Sequence, residues 1–125
     1  ADLASQVDDA KLSITSVSPE QLGRAVAFAP GGPYAKQFAA RDVIHIHDRT
    51  VFAHGGVLPS HVAYGLDNIN AETKAWLAGD RAEPPSIAMD PEAPVWTRRF
   101  SSDTTQEDCK VLVEVLRLLD VDRMV

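Results

Sequence analysis

Three stretches predict an α/β fold. Residues 42–53 alternate apolar and polar side chains on both sides of Asp48-Arg49, the pattern of a two-stranded hairpin. From Thr105 the chain turns to a helical period, with Cys109, Leu112, Val113, Leu116 and Leu119 in one stripe and Lys110, Glu114 and Arg117 opposite. Val121 to Val125 then read as a strand just beginning.

Taken in order, residues 1–17 space Leu3, Val7, Leu12, Ile14 and Val17 irregularly and specify no element. Ser18-Pro19-Glu20-Gln21 reads as a helix start, with Ser18 as cap, Pro19 at the first helical position and Gln21 closing a capping box; that helix runs to about Ala27. Pro30-Gly31-Gly32-Pro33 must be a loop, because the prolines remove donors and fix φ. A short helix follows from Tyr34 to Ala40, with Phe38 as its apolar anchor.

In the hairpin, a two-residue turn at Asp48-Arg49 pairs His47 with Thr50 and His45 with Phe52. Residues paired across strands share a face, so Ile44, Ile46, Val51 and Ala53 form the core side and His45, His47, Thr50 and Phe52 the other. Val62, Leu66, Ile69, Thr73, Trp76 and Leu77 then suit one helix face; Gly65 weakens that helix, Asn70 offers a restarting cap and Gly79 a stop. Asp80 to Pro94 carries four prolines without periodicity and is expected to be a long surface loop, of the kind that borders functional sites. The last helix begins with Thr105 as cap, Asp108 three residues on, and Glu107 and Asp108 complementing the N-terminal dipole.

At 125 residues and 45% apolar content the chain is expected to form one domain with a modest core. A net charge of −6 with 12 scattered basic residues argues against a nucleic-acid surface. No run approaches a membrane span and no signal peptide is visible, so an intracellular, soluble protein is expected. Cys109 lacks a disulfide partner and is read as a buried thiol. The absence of an initial Met and the strand pattern at Val121 to Val125 make both ends read as cut.

The chemistry centres on Val51-Phe52-Ala53-His54-Gly55-Gly56-Val57-Leu58-Pro59. A strand ends on a histidine, two glycines allow positive φ and a close approach, and Pro59 closes the loop before a helix. The two readings of His54 are a metal-bound imidazole and a polar surface residue. His45 and His47, an HxH pair on one strand face, are read first as half-exposed strand histidines and second as ligands of a mononuclear metal together with His54. By themselves Arg98 and Arg99 read as a surface pair flanking a core formed by Trp96 and Phe100. His61 reads as a surface residue at a helix start, and Asp8, Asp9, Asp90 and Asp108 show no metal-motif spacing.

The His54 segment resembles that of calcineurin-like metallophosphatases, in which a histidine before two glycines ligates one of two catalytic metals. With Ala27-Phe28-Ala29-Pro30-Gly31-Gly32-Pro33, Tyr64-Gly65-Leu66-Asp67-Asn68-Ile69-Asn70 and Val95-Trp96-Thr97-Arg98-Arg99-Phe100-Ser101, the chain is similar to the Shewanella-like branch of phosphoprotein phosphatases, collinearly from about Arg24 to Val125. The resemblance implies the later half of a two-sheet αββα sandwich acting as a metal-dependent phosphoester hydrolase on a phosphorylated protein or small phosphoester. It implies a divalent metal pair of manganese, iron or zinc, one ion held by His54, with Gly55 and Gly56 shaping the site and Arg98, or Arg99 beside it, binding the substrate phosphate. Members are known from bacteria, plants and algae, which makes a chloroplast or cytoplasmic setting plausible. The family's GDxHG, GDxxDRG and GNHE motifs and its downstream GH pair do not occur here. The chain by itself is therefore expected to be inactive, and the alternative is a non-catalytic remnant serving as an interaction module.

Overall fold

The computed structural model describes residues 17–125. Its elements are α1 (Pro19–Phe28), α2 (Pro33–Ala39), β1 (Ile44–His47), β2 (Thr50–Ala53), α3 (Pro59–Tyr64), α4 (Leu66–Ala78), α5 (Ser86–Met89), α6 (Gln106–Leu119) and β3 (Arg123–Met124). This is the mixed α/β composition expected, with one three-stranded sheet among the described residues. The irregular stretch before Val17, with Asp8 and Asp9, lies outside them. The chain forms two compact units, residues 17–41 with 74–83, and Asp42–Thr73 with Pro84–Val125.

In the first unit Pro19 occupies the first turn of α1, as expected, but Ser18 makes no side-chain cap bond; the turn is closed by the Gln21 amide donating to the Ser18 carbonyl at 2.9 Å. In α2 the buried residues are Ala35 and Ala39. Phe38, the expected anchor, is 49% exposed and stacks at 6.0 Å on Phe28, which also stacks on Tyr34 at 5.2 Å. Small side chains let the short helix pack closely, so the large ring stays outside.

The second unit is built on the hairpin, whose register is the expected one: Ile44 with Ala53, His45 with Phe52, Ile46 with Val51 and His47 with Thr50. Asp48 and Arg49 both have positive φ, 45° and 59°, which matches the twist of a two-residue turn to that of the strands. β3 joins β2 on its other side in parallel, pairing Thr50 with Arg123 and Val51 with Met124. The strand expected at the C-terminal end is therefore present, and β2 is central.

Ile44, Val51, Val57, Ile69, Val115 and Val121 form the core. Ile46, expected in it, is 42% exposed because it lies at the far end of the edge strand. Thr50, expected outside, is buried where β3 covers it, and accepts from Nε of Arg123 at 2.8 Å.

The single helix expected over Val62 to Leu77 is two helices. Gly65 takes φ of 100°, which the helical ladder cannot use, and the chain restarts at Leu66. Asn70 is not a cap but an interior residue of α4. Its Oδ1 accepts from the amides of Val43 and Ile44 at 2.8 and 3.1 Å, and its Nδ2 donates to the Ile44 carbonyl at 2.8 Å, fastening α4 to the start of β1. Within the expected Asp80–Pro94 loop lies the short α5.

In α6 the cap is as expected: Asp108 donates its amide to Oγ1 of Thr105 at 3.3 Å and accepts from the Thr105 amide at 2.9 Å. The apolar stripe is rotated from the expected one. Val115 is fully buried, with Val111, Leu112, Leu116 and Leu119 half-buried, whereas Val113 and Cys109 are exposed. With both Val111 and Val115 packed inward, 3.6-residue geometry carries positions 109 and 113 out to solvent, which corrects the reading of Cys109 as a core thiol.

Candidate functional site

His54 stands one residue past the end of β2, exposed, on the expected strand-end loop. Gly55 and Gly56 follow, and their backbone lies directly on the segment that leads to Arg98. The Gly55 amide donates to the Pro94 carbonyl at 2.7 Å and the Gly56 amide to the same oxygen at 3.2 Å. A Cβ on Gly55 would stand 2.7 Å from the Thr97 carbonyl oxygen and 2.9 Å from that of Pro94. On Gly56, whose φ is +140°, a Cβ would meet the Phe100 ring at 2.8 Å. Positive φ thus occurs at Gly56 alone, and the close approach at both.

The partner segment is rigid for local reasons. Ala93, Pro94 and Thr97 are buried, and Trp96 and Thr97 both donate their amides to the Ala93 carbonyl at 2.9 Å. Trp96, expected in the core, is 55% exposed, while Phe100 is half-buried against Gly56. Alternate residues of this turn point in opposite directions, so burying Thr97 sends Trp96 and Arg98 outward.

The two arginines differ. Arg98 is exposed and forms no ion pair among the described residues. Arg99 is engaged: its Nε donates to Oδ1 of Asp108 at 2.9 Å, and its guanidinium lies 4.0 Å from Glu92. That donor, with the Thr105 bonds that contribute most, pulls the Asp108 carboxyl down to about 2. Arg99 thereby ties the 92–100 segment to the start of α6.

His45 and His47 lie on the exposed face of β1 with rings stacked at 6.4 Å. Each has a carboxylate neighbour, Asp42 at 3.2 Å and Asp48 at 3.1 Å. Among the described residues no three of the His, Cys, Asp and Glu side chains converge as a metal cage, so His54 does not join them. One exposed imidazole does not fit a pair of ions.

His61 was the residue that sequence reasoning missed. Expected on the surface, it is 1% exposed, and its Nδ1 accepts from the Leu58 amide at 2.9 Å. The signal was its place three residues after the residue preceding Pro59, where a capping box puts an acceptor.

With this geometry in place, comparison with known proteins gives a match to part of a longer relative. The chain is 34% identical over 107 residues to Shewanella-like protein phosphatase 2 of Arabidopsis thaliana, a match covering 82% of this chain. Over this segment the chain is similar to part of a Shewanella-like protein phosphatase. It spans 27% of the length of that relative. No family profile matches the Shewanella-like segment, and no solved structure matches it. No helix among the described residues is long and apolar enough to cross a membrane.

Proposed function

We propose that this chain is the part of a metal-dependent phosphoester hydrolase, of the serine/threonine or tyrosine protein phosphatase type, that presents one metal ligand and one phosphate-binding guanidinium. The observation that carries this reading is the backbone join of Gly55 and Gly56 to Pro94, which holds the residue after His54 against the segment entering Arg98. In the whole protein, with further ligands from outside the described residues, His54 would hold one ion of a divalent pair, manganese, iron or zinc, through a ring nitrogen. Gly55 and Gly56 shape the site by letting the loop after His54 lie directly on Pro94, Thr97 and Phe100, and Arg98, free of carboxylates, takes phosphoryl oxygens of a phosphorylated protein or small phosphoester in bidentate fashion.

Because the described residues do not make a metal pair by themselves, the chemistry assigned to this chain ends with presenting these groups, and the isolated chain is inactive. The test is a chimera in which the matched segment of this chain replaces the aligned segment of the Arabidopsis relative. Manganese-dependent hydrolysis of para-nitrophenyl phosphate is expected in the chimera and lost in its His54→Ala form. Equal activity in both, or His54-dependent hydrolysis by the isolated chain, overturns the reading.

A second reading, a non-catalytic interaction module, draws on Trp96 and Phe52, exposed at 55% and 41%. An inactive chimera that folds normally would favour it.

A further inference from the structure

β1 is an edge strand, and the hydrogen bonds of its neighbours fix which of its backbone groups face outward. Val51 accepts from the Val125 amide and Ala53 donates to the Val125 carbonyl, so both residues turn their backbone groups toward β3. Their partners across the hairpin, Ile46 and Ile44, therefore turn theirs outward, away from β2. At Ile44 those groups are satisfied: the Asn70 carboxamide accepts from the amide at 3.1 Å and donates to the carbonyl at 2.8 Å, as one residue of a further strand would. At Ile46 the N–H and C=O have no partner among the described residues. Beside them lies an open groove of about 540 Å³, lined by the aliphatic side chains of Ile46, Val62, Leu66 and Leu119 and by Asp67, its one charged residue.

We propose that the free edge at Ile46 and this groove bind an extended segment of a partner protein that carries an aliphatic and a basic residue on one face. An unpaired N–H and C=O on a strand edge call for another backbone, and one residue of an added strand supplies both partners. Side chains on the groove-facing side of that strand run over Val62, Leu66 and Leu119, which suits aliphatic groups. The basic residue answers Asp67, which is exposed and forms no ion pair among the described residues. A second copy of this chain fits less well, because it brings another net charge of −6 to an acidic groove. Asn70 sets the register, since it occupies Ile44 and leaves only Ile46 open to pairing. The surface uses neither His54 nor Arg98, so it stands apart from the phosphatase reading.

The test is titration of the whole 125-residue chain with a capped eight-residue peptide, followed through backbone amide shifts and exchange. Every second residue of the peptide is threonine, and the residues between are alternately valine and lysine. Saturation is expected to shift the amides of Ile46, Leu66 and Asp67 and to slow exchange at Ile46 by about tenfold or more. The same peptide with glutamate in place of lysine is expected to bind about tenfold more weakly. Ile46→Pro removes the outward donor without removing a hairpin bond, as an edge position permits. It should abolish binding while the Ala53 amide, bonded to the Val125 carbonyl, stays protected. Because that variant keeps the net charge, it separates the edge from general attraction of a cationic peptide to an acidic chain. Should the proline also open the hairpin, Asp67→Asn decides: binding of the lysine peptide is expected to weaken about threefold to fivefold, the scale of an exposed ion pair. Equal binding of the two peptides, amide shifts that bypass Ile46 and Leu66, affinity unchanged in Asp67→Asn, or binding retained in folded Ile46→Pro overturns the proposal. So does a dimer of the chain that Ile46→Pro dissolves in sedimentation equilibrium, which would give the edge to a second copy. None of these measurements reads hydrolysis, so failure here leaves the phosphatase reading standing.

Discussion

The amide of Gly55 donates to the carbonyl oxygen of Pro94 at 2.7 Å, and the position where a side chain would begin on Gly55 is filled by the Thr97 carbonyl. The neighbours of His54 and Arg98 are therefore in backbone contact, with no flexible side chain between them to absorb an error.

Gly55→Ala should consequently do more than an ordinary surface substitution. The added carbon would sit 2.7 Å from one backbone oxygen and 2.9 Å from another, and backbone yields less readily than a side chain. A loss of about 1–3 kcal/mol, typical of overpacking, is expected in urea denaturation. A midpoint equal to the parent's would show that the contact is not tight.

Asn70→Ala removes all three bonds to Val43 and Ile44 at once and strands backbone groups at the start of β1. The expected cost is about 2 kcal/mol or more, since each buried group left without a partner costs about 1–3 kcal/mol. Loss of amide protection at Val43 and Ile44, with Asp108 unaffected, would localise it. Uniform loss across the unit would contradict a role confined to this junction.

Acid stability should fall in two stages. His61 is depressed from 6.5 in the folded chain, so its contribution is complete above that pH and declines as pH falls below it. Asp108 is held at about 2 against an ordinary 3.8, and Asp122 is lowered by its bond to Arg49; their contributions are complete above pH 3.8 and are lost as pH falls through the folded values. Urea midpoints measured from pH 8 to pH 2 should show the upper stage vanish in His61→Asn. The lower stage should shrink in Asp108→Asn. A midpoint flat from pH 8 to pH 4 would contradict the assignment to His61.

Arg98 and Arg99 should separate cleanly. Arg98→Lys is expected to leave stability within about 0.5 kcal/mol of the parent, as for other exposed positions. In the chimera it should reduce kcat/KM on the order of 100-fold, the cost of losing one well-placed charged donor. Arg99→Lys should do the reverse, lowering the denaturation midpoint because lysine cannot reproduce the Nε bond to Asp108. Equal effects of the two substitutions on activity would mean that Arg98 holds no phosphate.

The sequence by itself determined what depends on near neighbours. Asp48-Arg49 fixed the hairpin register through a turn that only two residues need form, and Thr105 with Asp108 fixed the start of α6 through a cap closed within one turn. The resemblance to part of a Shewanella-like protein phosphatase was also legible in the sequence. Tertiary structure decided what depends on distant partners. Asn70 resembled a cap because its side chain can serve that purpose, yet its partners lie 26 and 27 residues away. His61 resembled a surface histidine because nothing near it in sequence shows which distant parts of the chain cover it. The outward position of Cys109 followed from which neighbours Val111 and Val115 found to pack against. A side chain's local options can be read from its own turn of chain, but which option is taken is set by the free energy of satisfying buried polar groups and filling space across the fold.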